Sequence, residues 1–286
     1  MTEDHRRSGA HRVGQVKEVT SLANPIVKDI KALTNKKDRE QSGTFMAEGL
    51  KLVIDALELG WTIRTLVYAK AAKGKPLVEQ VAAKTVAKGG LVLEVSEKVL
   101  SSITRRDNPQ MVVGIFEQRW ARLADLELTA GKTYVALDRV RDPGNLGTII
   151  RTADAAGASG VILLGECTDP FSLETVRATM GSVFAVPLVK ATVEEFLAWK
   201  KGGSMEVVAT HLAGAVDYRS IDYSKRPVVL LMGNEQSGLP DMLAKAADRL
   251  VRIPQQGRAD SLNLAVATAV MLFEARRHLL VLDGDE

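Results

Sequence analysis

The sequence has a single cysteine, Cys167, among 286 residues, and only four histidines. One cysteine excludes an internal disulfide framework and a metal site built from several cysteines, so we predict a protein of a reducing compartment with no structural metal. No apolar run approaches the roughly 20 residues that span a bilayer. The start, MTEDHRRSGAHR, lacks the apolar segment of a secretory signal. We therefore expect a cytoplasmic protein that is not associated with a membrane.

Two nucleotide-binding signatures are also missing. The sequence contains neither GxGxxG nor GxxxxGK[ST], the glycine patterns that hold dinucleotides and nucleoside triphosphates. A nucleotide-dependent α/β enzyme is therefore disfavoured. The composition is that of an ordinary globular protein, with 46% hydrophobic, 26% charged and only 5% aromatic residues. The length suits two compact domains or one large one.

Charge is unevenly distributed along the chain. The net charge is +3 overall, but residues 15–120 carry +5 and residues 121–286 carry −3. A basic first half beside a slightly acidic second half favours contact between the first half and a polyanion such as a nucleic acid. A solvated, lysine-rich surface explains the charge equally well, so charge alone leaves both interpretations open.

Apolar periodicity divides the chain into four segments. Residues 1–14 are polar and aperiodic, which predicts a disordered tail. Residues 15–118 alternate helices with strands, and residues 119–132 are the best candidate for a linker. In residues 133–286, continuous apolar strands alternate with helices, a pattern typical of a parallel sheet covered on both faces. The predicted strands there are 133–138, 160–165, 183–189, 206–210, 227–233 and 249–254, and the predicted helices are 145–157, 172–181, 192–201, 240–247 and 262–281.

Polar residues gather at two strand-to-helix junctions of the second half. In DRVRDPGNLGTIIRTADAAG (138–157), Asn145 and Arg151 are six residues apart, so their side chains can meet only if Asn145 lies at or before the first turn. A capping asparagine and a surface arginine are the alternative. In MGNEQSGLP, Gly233 would let a ligand approach the backbone where a strand ends, with the Glu235 carboxylate beside it. An ordinary turn with an exposed glutamate is the alternative there.

A third polar junction precedes the last helix, in ADSLNLAVATAVMLFEARR. Ser261 is the predicted N-cap, and the helix from Leu262 is apolar nearly all round, so we expect it to be buried on several sides. Asn263 at the start of such a helix needs a polar partner. That partner is either a ligand or another side chain of the site, or else Asn263 is satisfied within the core.

Together and in this order, NLGTIIRTADAAG, GNEQSGL and SLNLAVATAVMLFEA resemble the three motifs of the SpoU/TrmH family of RNA 2′-O-ribose methyltransferases, within the SPOUT class. The resemblance covers roughly 133–280, and Ala265 departs from it where many members have serine. Residues 17–118 more loosely resemble the L30e-like substrate-binding extension of this family, through NPIVKDI, FMAEG and TRRDNPQMVVGIF. The resemblance implies a C-terminal α/β domain with a mostly parallel sheet and a deep trefoil knot, preceded by a smaller L30e-like α/β domain.

The resemblance also implies a cofactor and an oligomeric state. S-adenosyl-L-methionine would bind in the knot, through backbone contacts at Gly233, Ile253 and Leu262 and with Thr210 at the edge of the adenine pocket. Members of the family usually form homodimers, which would bury the last helix. In those dimers the site borrows residues from the first motif of the partner.

The catalytic roles follow from the same resemblance. The functional arginine of the family corresponds to Arg151, and because a guanidinium stays protonated in proteins, we expect it to orient the nucleophile and stabilise developing negative charge. Asn145, Glu235, Ser261 and Asn263 would orient Arg151 and the ribose. Glu235 is an alternative acceptor of the hydroxyl proton.

Binding of RNA is expected in the basic first half. The candidate phosphate contacts are Lys28, Lys31, Lys36, Lys37, Arg39, Arg105 and Arg106, each of which could instead be a solvated surface charge. The L30e-like extension favours ribosomal RNA over tRNA as the substrate. A tRNA 2′-O-methyltransferase of the same family is one alternative. A non-catalytic RNA-binding or ribosome-assembly protein is the other, and the intact motif residues argue against it.

Overall fold

The computed structural model describes residues 13–107, 109–211, 216–258 and 260–282. The chain forms two compact units, Met1–Gln118 and Arg119–Glu286. Most of the expected disordered tail, residues 1–12, lies outside the described residues. No helix in the described part of the chain is long and apolar enough to cross a membrane.

The first unit is built on a mixed five-stranded sheet. Its strands are β1 (Gln15–Val19), β2 (Thr44–Glu48), β3 (Ile63–Ala69), β4 (Leu91–Val95) and β5 (Val112–Glu117). Its helices are α1 (Pro25–Ala32), α2 (Lys36–Ser42), α3 (Leu50–Glu58), α4 (Pro76–Ala87) and α5 (Glu97–Thr104), with a 3₁₀ turn at Lys70–Ala72. The sheet order is β1-β4-β3-β5-β2. β1, β4 and β3 are parallel, and β5 runs antiparallel to β3 and β2.

Local chemistry explains how this unit starts its first helix and fills its core. Asn24 precedes α1, and its side chain accepts a hydrogen bond from the Ile26 amide at 2.9 Å. An asparagine cap satisfies one of the amide groups that a helix leaves without an internal partner. In the core, Phe45 meets Trp61 edge to face with ring centroids 6.0 Å apart, and Phe116 packs against both rings.

The second unit is built on a fully parallel seven-stranded sheet. Its strands are β6 (Thr133–Asp138), β7 (Gly160–Leu164), β8 (Leu188–Ala191), β9 (Glu206–Thr210), β10 (Val216–Asp217), β11 (Val228–Met232) and β12 (Arg249–Arg252). Its helices are α6 (Pro143–Ala155), α7 (Leu173–Thr179), α8 (Val193–Gly202), α9 (Asp241–Ala246) and α10 (Leu264–Arg276). The sheet order is β10-β12-β9-β11-β6-β7-β8. The predicted parallel sheet of an α/β domain is therefore confirmed, whereas the trefoil knot stays a prediction.

One predicted strand is largely wrong. In the structure a 3₁₀ turn at Ser182–Phe184 is followed by irregular chain, and β8 begins only at Leu188. The Ala185 and Val186 amides both donate to the Ser182 carbonyl, so this stretch closes on itself instead of joining the sheet. Pro187 follows and has no amide hydrogen to offer a neighbouring strand.

The residues from 119 to 132, expected to be a linker, lie in the second unit. The Ala121 amide donates to the Leu188 carbonyl at 2.8 Å. Leu123, Leu126 and Leu128 are partly buried and pack against the core of that unit. The segment is therefore held by apolar contacts with the parallel-sheet unit along most of its length.

The register of the parallel sheet brings four strand ends to one edge. Leu137 of β6 pairs with Met232 of β11, and Thr210 of β9 pairs with Val251 of β12. Ligands of parallel α/β sheets bind outside the carboxyl ends of the strands. This edge is therefore where a site is expected.

Candidate active site

A pocket of about 570 Å³ lies at the carboxyl edge of β9, β11 and β12. Its wall also includes the first residues of α6 and α10. Eight residues that the sequence predicts for catalysis or cofactor binding line this one pocket: Asn145, Thr210, Gly233, Glu235, Ile253, Ser261, Leu262 and Asn263. Segments more than a hundred residues apart in sequence thus meet in a single cleft.

The loop after β11 approaches its own backbone too closely for a side chain at Gly233. A Cβ there would lie 2.5 Å from the Gly238 carbonyl carbon and the Leu239 nitrogen. The Asn234 and Gly238 backbones exchange two hydrogen bonds of 3.0 Å, which closes the loop. Gly233 is therefore required by the packing of this loop, and its bare backbone also faces the pocket.

Asn234 holds the loop together, and the sequence analysis missed it. Its Oδ1 accepts hydrogen bonds from the Gln236 and Ser237 amides at 2.9 and 3.2 Å. Its Nδ2 donates to the Arg139 carbonyl at 2.7 Å. An asparagine before polar residues and a glycine is the signal of such a side-chain-closed turn, so the sequence did contain the clue.

A chain of side-chain amides connects the three motifs. Asn263 Nδ2 donates to Asn145 Oδ1 at 2.9 Å, and Asn145 Nδ2 donates to Glu235 Oε1 at 3.4 Å. The Asn263 Oδ1 accepts from the Ala265 amide at 2.9 Å, which anchors the chain on α10. Each amide is thereby fixed in one orientation, with the exposed Glu235 carboxylate at the end.

Helices α6 and α10 begin at residues other than those predicted from the sequence. Asp142 is the N-cap of α6, because its Oδ1 accepts from the Asn145 amide at 2.6 Å. Asn263, and not Ser261, is the N-cap of α10. Because Asp142 caps α6, the Asn145 side chain is not needed as a cap and faces the pocket. Ser261 is exposed at the rim of the pocket.

The rest of the pocket wall combines polar side chains with an apolar surface. The apolar residues include Met232, Val251, Ile253, Leu262 and Leu264. Flat apolar surface beside a few fixed polar groups is the usual make-up of a small-molecule site.

Arg151 does not belong to the described lining of this pocket. It is exposed on α6, about 9 Å along the helix from Asn145 at the usual rise per residue. Within one chain, the expected functional arginine is therefore on the surface beside the site and does not project into it.

One of the candidate RNA contacts is wrong. Arg39 is only 3% exposed, and its Nη1 donates to the Leu33 carbonyl at 2.8 Å, so its guanidinium is used inside the first unit. Lys28, Lys36, Lys37, Arg105 and Arg106 are exposed and Lys31 is half-buried, so the other candidates reach the surface.

Two further features concern reactive groups. Burial raises the pKa of the Cys167 thiol to about 11, so this side chain stays protonated and unreactive at neutral pH. Among the described residues, no group of three or more His, Cys, Asp or Glu side chains could hold a metal ion.

Comparison with known proteins assigns the chain to a family. Residues 132–273 match the SpoU rRNA Methylase family, and residues 24–114 match an MRM3-like substrate binding domain. A 23S rRNA (guanosine(2553)-2′-O)-methyltransferase of Bacillus subtilis is 31% identical over 91% of this chain and 100% of its own. A 23S rRNA (uridine(2479)-2′-O)-methyltransferase of Streptomyces viridochromogenes is 31% identical over 95% and 96%.

Solved structures agree with this assignment. The crystal structure of an rRNA methyltransferase from Sinorhizobium meliloti is 73% identical, with a TM-score of 0.89 over 94% of this chain and 100% of its own. A second crystal structure, of an AdoMet-bound rRNA methyltransferase from the same organism, matches equally well over 93% and 99%. The fold thus defines a parallel α/β domain with a pocket at the carboxyl edge of its sheet. The chain belongs to the SpoU rRNA methylase family, which confirms the resemblance of its three motifs.

Proposed function

We propose that this protein is an S-adenosyl-L-methionine-dependent RNA ribose 2′-O-methyltransferase that acts on ribosomal RNA. The single observation that carries the proposal is the convergence of all three motifs on one pocket, linked by the Asn263–Asn145–Glu235 chain of hydrogen bonds. Ribosomal RNA is favoured over tRNA because the two 23S rRNA-methylating relatives align over 91% and 95% of this chain, which includes the first unit. A cytoplasmic location fits this substrate and the single cysteine.

The pocket suits this cofactor on its own chemistry. Gly233 contributes backbone to the pocket wall, and the apolar surfaces of Ile253 and Leu262 suit a flat adenine ring. Thr210 supplies a hydroxyl at the edge of the pocket. When bound, the cofactor supplies a methyl group on a sulfonium sulfur, open to attack by a ribose 2′-oxygen.

The polar residues then prepare that oxygen. Asn145 holds the Glu235 carboxylate and is itself held by Asn263, so these groups are oriented before the RNA arrives. Arg151 orients the ribose and stabilises negative charge on the 2′-oxygen. Glu235 Oε2 is the alternative acceptor of the hydroxyl proton.

A homodimer completes the site in this proposal. Val266 and Phe273 are 50% and 48% exposed on α10, and Val270 lies between them at helical spacing, so an apolar stripe faces outward. α10 contacts α6, the helix that carries the exposed Arg151. A second copy packed on this stripe would bury it and bring its own Arg151 towards the neighbouring pocket.

The first unit would hold the RNA. We retain Lys28, Lys31, Lys36, Lys37, Arg105 and Arg106 as proposed phosphate contacts. Arg106 lies 3.7 Å from the buried Glu48 carboxylate, which limits the movement of its side chain. Such contacts position the RNA without reading its sequence, and they make binding strongly dependent on salt.

Replacing Arg151 with alanine tests the proposal. Because Arg151 is assigned to the ribose and not to the cofactor, Arg151→Ala should bind S-adenosyl-L-methionine within about threefold of the wild type by calorimetry while losing at least about a hundredfold in methyl transfer to rRNA. Wild-type turnover by this variant would contradict the assigned role. Cofactor binding without methyl transfer by the wild-type protein to any RNA would favour a non-catalytic RNA-binding protein. Mapping 2′-O-methyl groups in rRNA and tRNA of a deletion strain would then identify the nucleotide.

A further inference from the structure

Arg139 has an unusual backbone conformation for its position. It follows β6 directly and has a φ of 48°. The other described non-glycine residues with positive φ are Arg105 and Met180, which end α5 and α7. A left-handed residue is ordinary at a helix end, but Arg139 does not lie at one. Glycine would adopt this conformation at lower free energy, so the arginine side chain must be retained for another reason.

Three neighbours hold Arg139 in place. Its amide donates to the Leu164 carbonyl at 3.0 Å, and its carbonyl accepts from Asn234 Nδ2 at 2.7 Å. Its Nε and Nη2 donate to the Asp138 carboxylate at 3.1 and 2.8 Å. The Asp138 side chain is 1% exposed, whereas that of Arg139 is 40% exposed. A buried carboxylate thus fixes a guanidinium whose other side faces solvent.

The guanidinium keeps unused donors on that outer side. Nη1 has no partner among the described residues, and Nη2 uses one of its two hydrogens on Asp138. The planar fork of arginine matches the oxygens of a phosphate group, and prior fixation lowers the entropy lost on binding. The ion pair with Asp138 accounts for the donors on the inner side of this guanidinium. It gives no role to the donors on the outer side.

Arg139 does not line the pocket, but its backbone is joined to the loop that does. The Asn234 side chain that binds its carbonyl closes the loop containing Glu235. Downstream, the chain runs from Arg139 into α6, which carries Asn145. A phosphate held here would belong to the RNA close to the acceptor ribose.

We propose that Arg139 binds a phosphate group of the RNA substrate beside the methyl-transfer site, and that buried Asp138 is the positioning residue for its guanidinium. This inference rests on the proposed function, because it takes RNA as the substrate. It adds a contact in the second unit that is separate from the basic residues of the first.

The test compares RNA binding and cofactor binding in two variants. Arg139→Gly removes the side chain and suits the backbone, and Asp138→Asn/Arg139→Gly also removes the buried charge that would otherwise lack a partner. Both should bind deproteinised 23S rRNA at least about tenfold more weakly, with the log–log salt slope reduced by about 0.7 for one lost single-strand phosphate contact. Both should bind S-adenosyl-L-methionine within about threefold of the wild type.

Arg122→Gly is the matched control. Arg122 also donates through Nε and Nη2 to an aspartate, Asp125, but that carboxylate is half exposed. The control should bind RNA within about twofold of the wild type.

Three results with the variants would overturn the inference. The first is wild-type RNA affinity in Arg139→Gly. The second is wild-type affinity in the double variant, which would show that the Asp138–Arg139 pair is only structural. The third is an equal loss of affinity in Arg122→Gly, which would indicate a general effect of charge. RNA binding is measured without turnover, so the two proposals can fail separately. A wild-type protein that binds RNA but methylates none would overturn the proposed function alone, and one that binds no RNA would overturn both.

Discussion

At the scale of single residues, the side-chain amide of Asn145 links the three motifs. Asn145 accepts from Asn263 and donates to Glu235, so either partner fixes which way its side chain points. A fixed amide costs little further entropy when substrate binds, which is how positioning groups contribute to rate. Asn263 has a second task as the N-cap of α10, and the two tasks use different atoms of the same side chain.

The substitution Asn263→Ser separates those two tasks. Serine caps a helix about as well as asparagine, so the free energy of unfolding should change by less than about 0.5 kcal/mol. The donor to Asn145 is lost, so kcat/KM for methyl transfer should fall about tenfold. Urea denaturation and a methyl-transfer assay measure the two quantities.

Asn24→Ser makes the same change at the N-cap of α1 and should leave activity as it is. Unchanged activity in Asn263→Ser would show that the hydrogen bond to Asn145 has no part in catalysis.

Single residues also show what the sequence could predict about the site. Eight of the nine residues assigned to catalysis or cofactor binding line one pocket, because each lies near the carboxyl end of a strand or near the start of a helix. The sequence did not reveal that Arg39 is buried, since seven polar residues in a row carry no apolar periodicity. Nor did it assign the caps, because Ser261 and Asn263 are both good capping residues and only the backbone decides between them.

At the scale of elements, the close contact between α6 and α7 depends on Gly147, which has no side chain. A Cβ at Gly147 would lie 2.4 Å from the Ala178 Cβ and 2.8 Å from the Thr175 carbonyl oxygen. Both contacts belong to α7, so the two helices could not stay this close with alanine at position 147. The position of α6 matters because its first turn carries Asn145 into the pocket.

Gly147→Ala should therefore destabilise the protein although alanine favours helices. We expect a loss of about 1–3 kcal/mol in the free energy of unfolding, because the added methyl group overpacks the contact. Gly202→Ala, at the end of α8 with nothing within 4 Å, is the matched control and should be neutral or slightly stabilising. Denaturant unfolding measures the free energy of unfolding of both variants. Equal stability of the Gly147→Ala and Gly202→Ala variants would mean that α6 and α7 can move apart without cost.

Elements with apolar strands were the predictable part of the fold. The six strands expected in the second unit were found by their continuous apolar runs, except that the 183–189 run is mostly a turn before Pro187. In the first unit, β1 is an edge strand with four exposed residues out of five, and α2 buries only Arg39, so apolar periodicity marks neither element. Periodicity reports burial, so elements that bury little escape it.

At the scale of the whole molecule, the proposed sharing of Arg151 between neighbouring pockets requires two copies of the chain. If Arg151 acts in the partner's pocket, an inactive Arg151→Ala chain and an inactive Asn145→Ala chain should complement each other. A heterodimer of the two has one site with every residue intact, so its activity should be about half that of the wild type. Co-expression with two affinity tags and sequential purification would isolate it. Activity no higher than that of either parent, or a monomer in sedimentation, would contradict the shared site.

The central claim is the transfer of a methyl group to a ribose 2′-oxygen, and the chemistry of RNA offers a direct test. Alkaline hydrolysis needs a free 2′-hydroxyl, so a 2′-O-methylated nucleotide survives within a dinucleotide. The protein should be incubated with S-adenosyl-L-methionine carrying a tritiated methyl group and unmodified rRNA, and the RNA then hydrolysed in alkali. The account predicts label in alkali-resistant dinucleotides. Label in mononucleotides, which indicates methylation of a base, or no incorporation into any RNA, would contradict it.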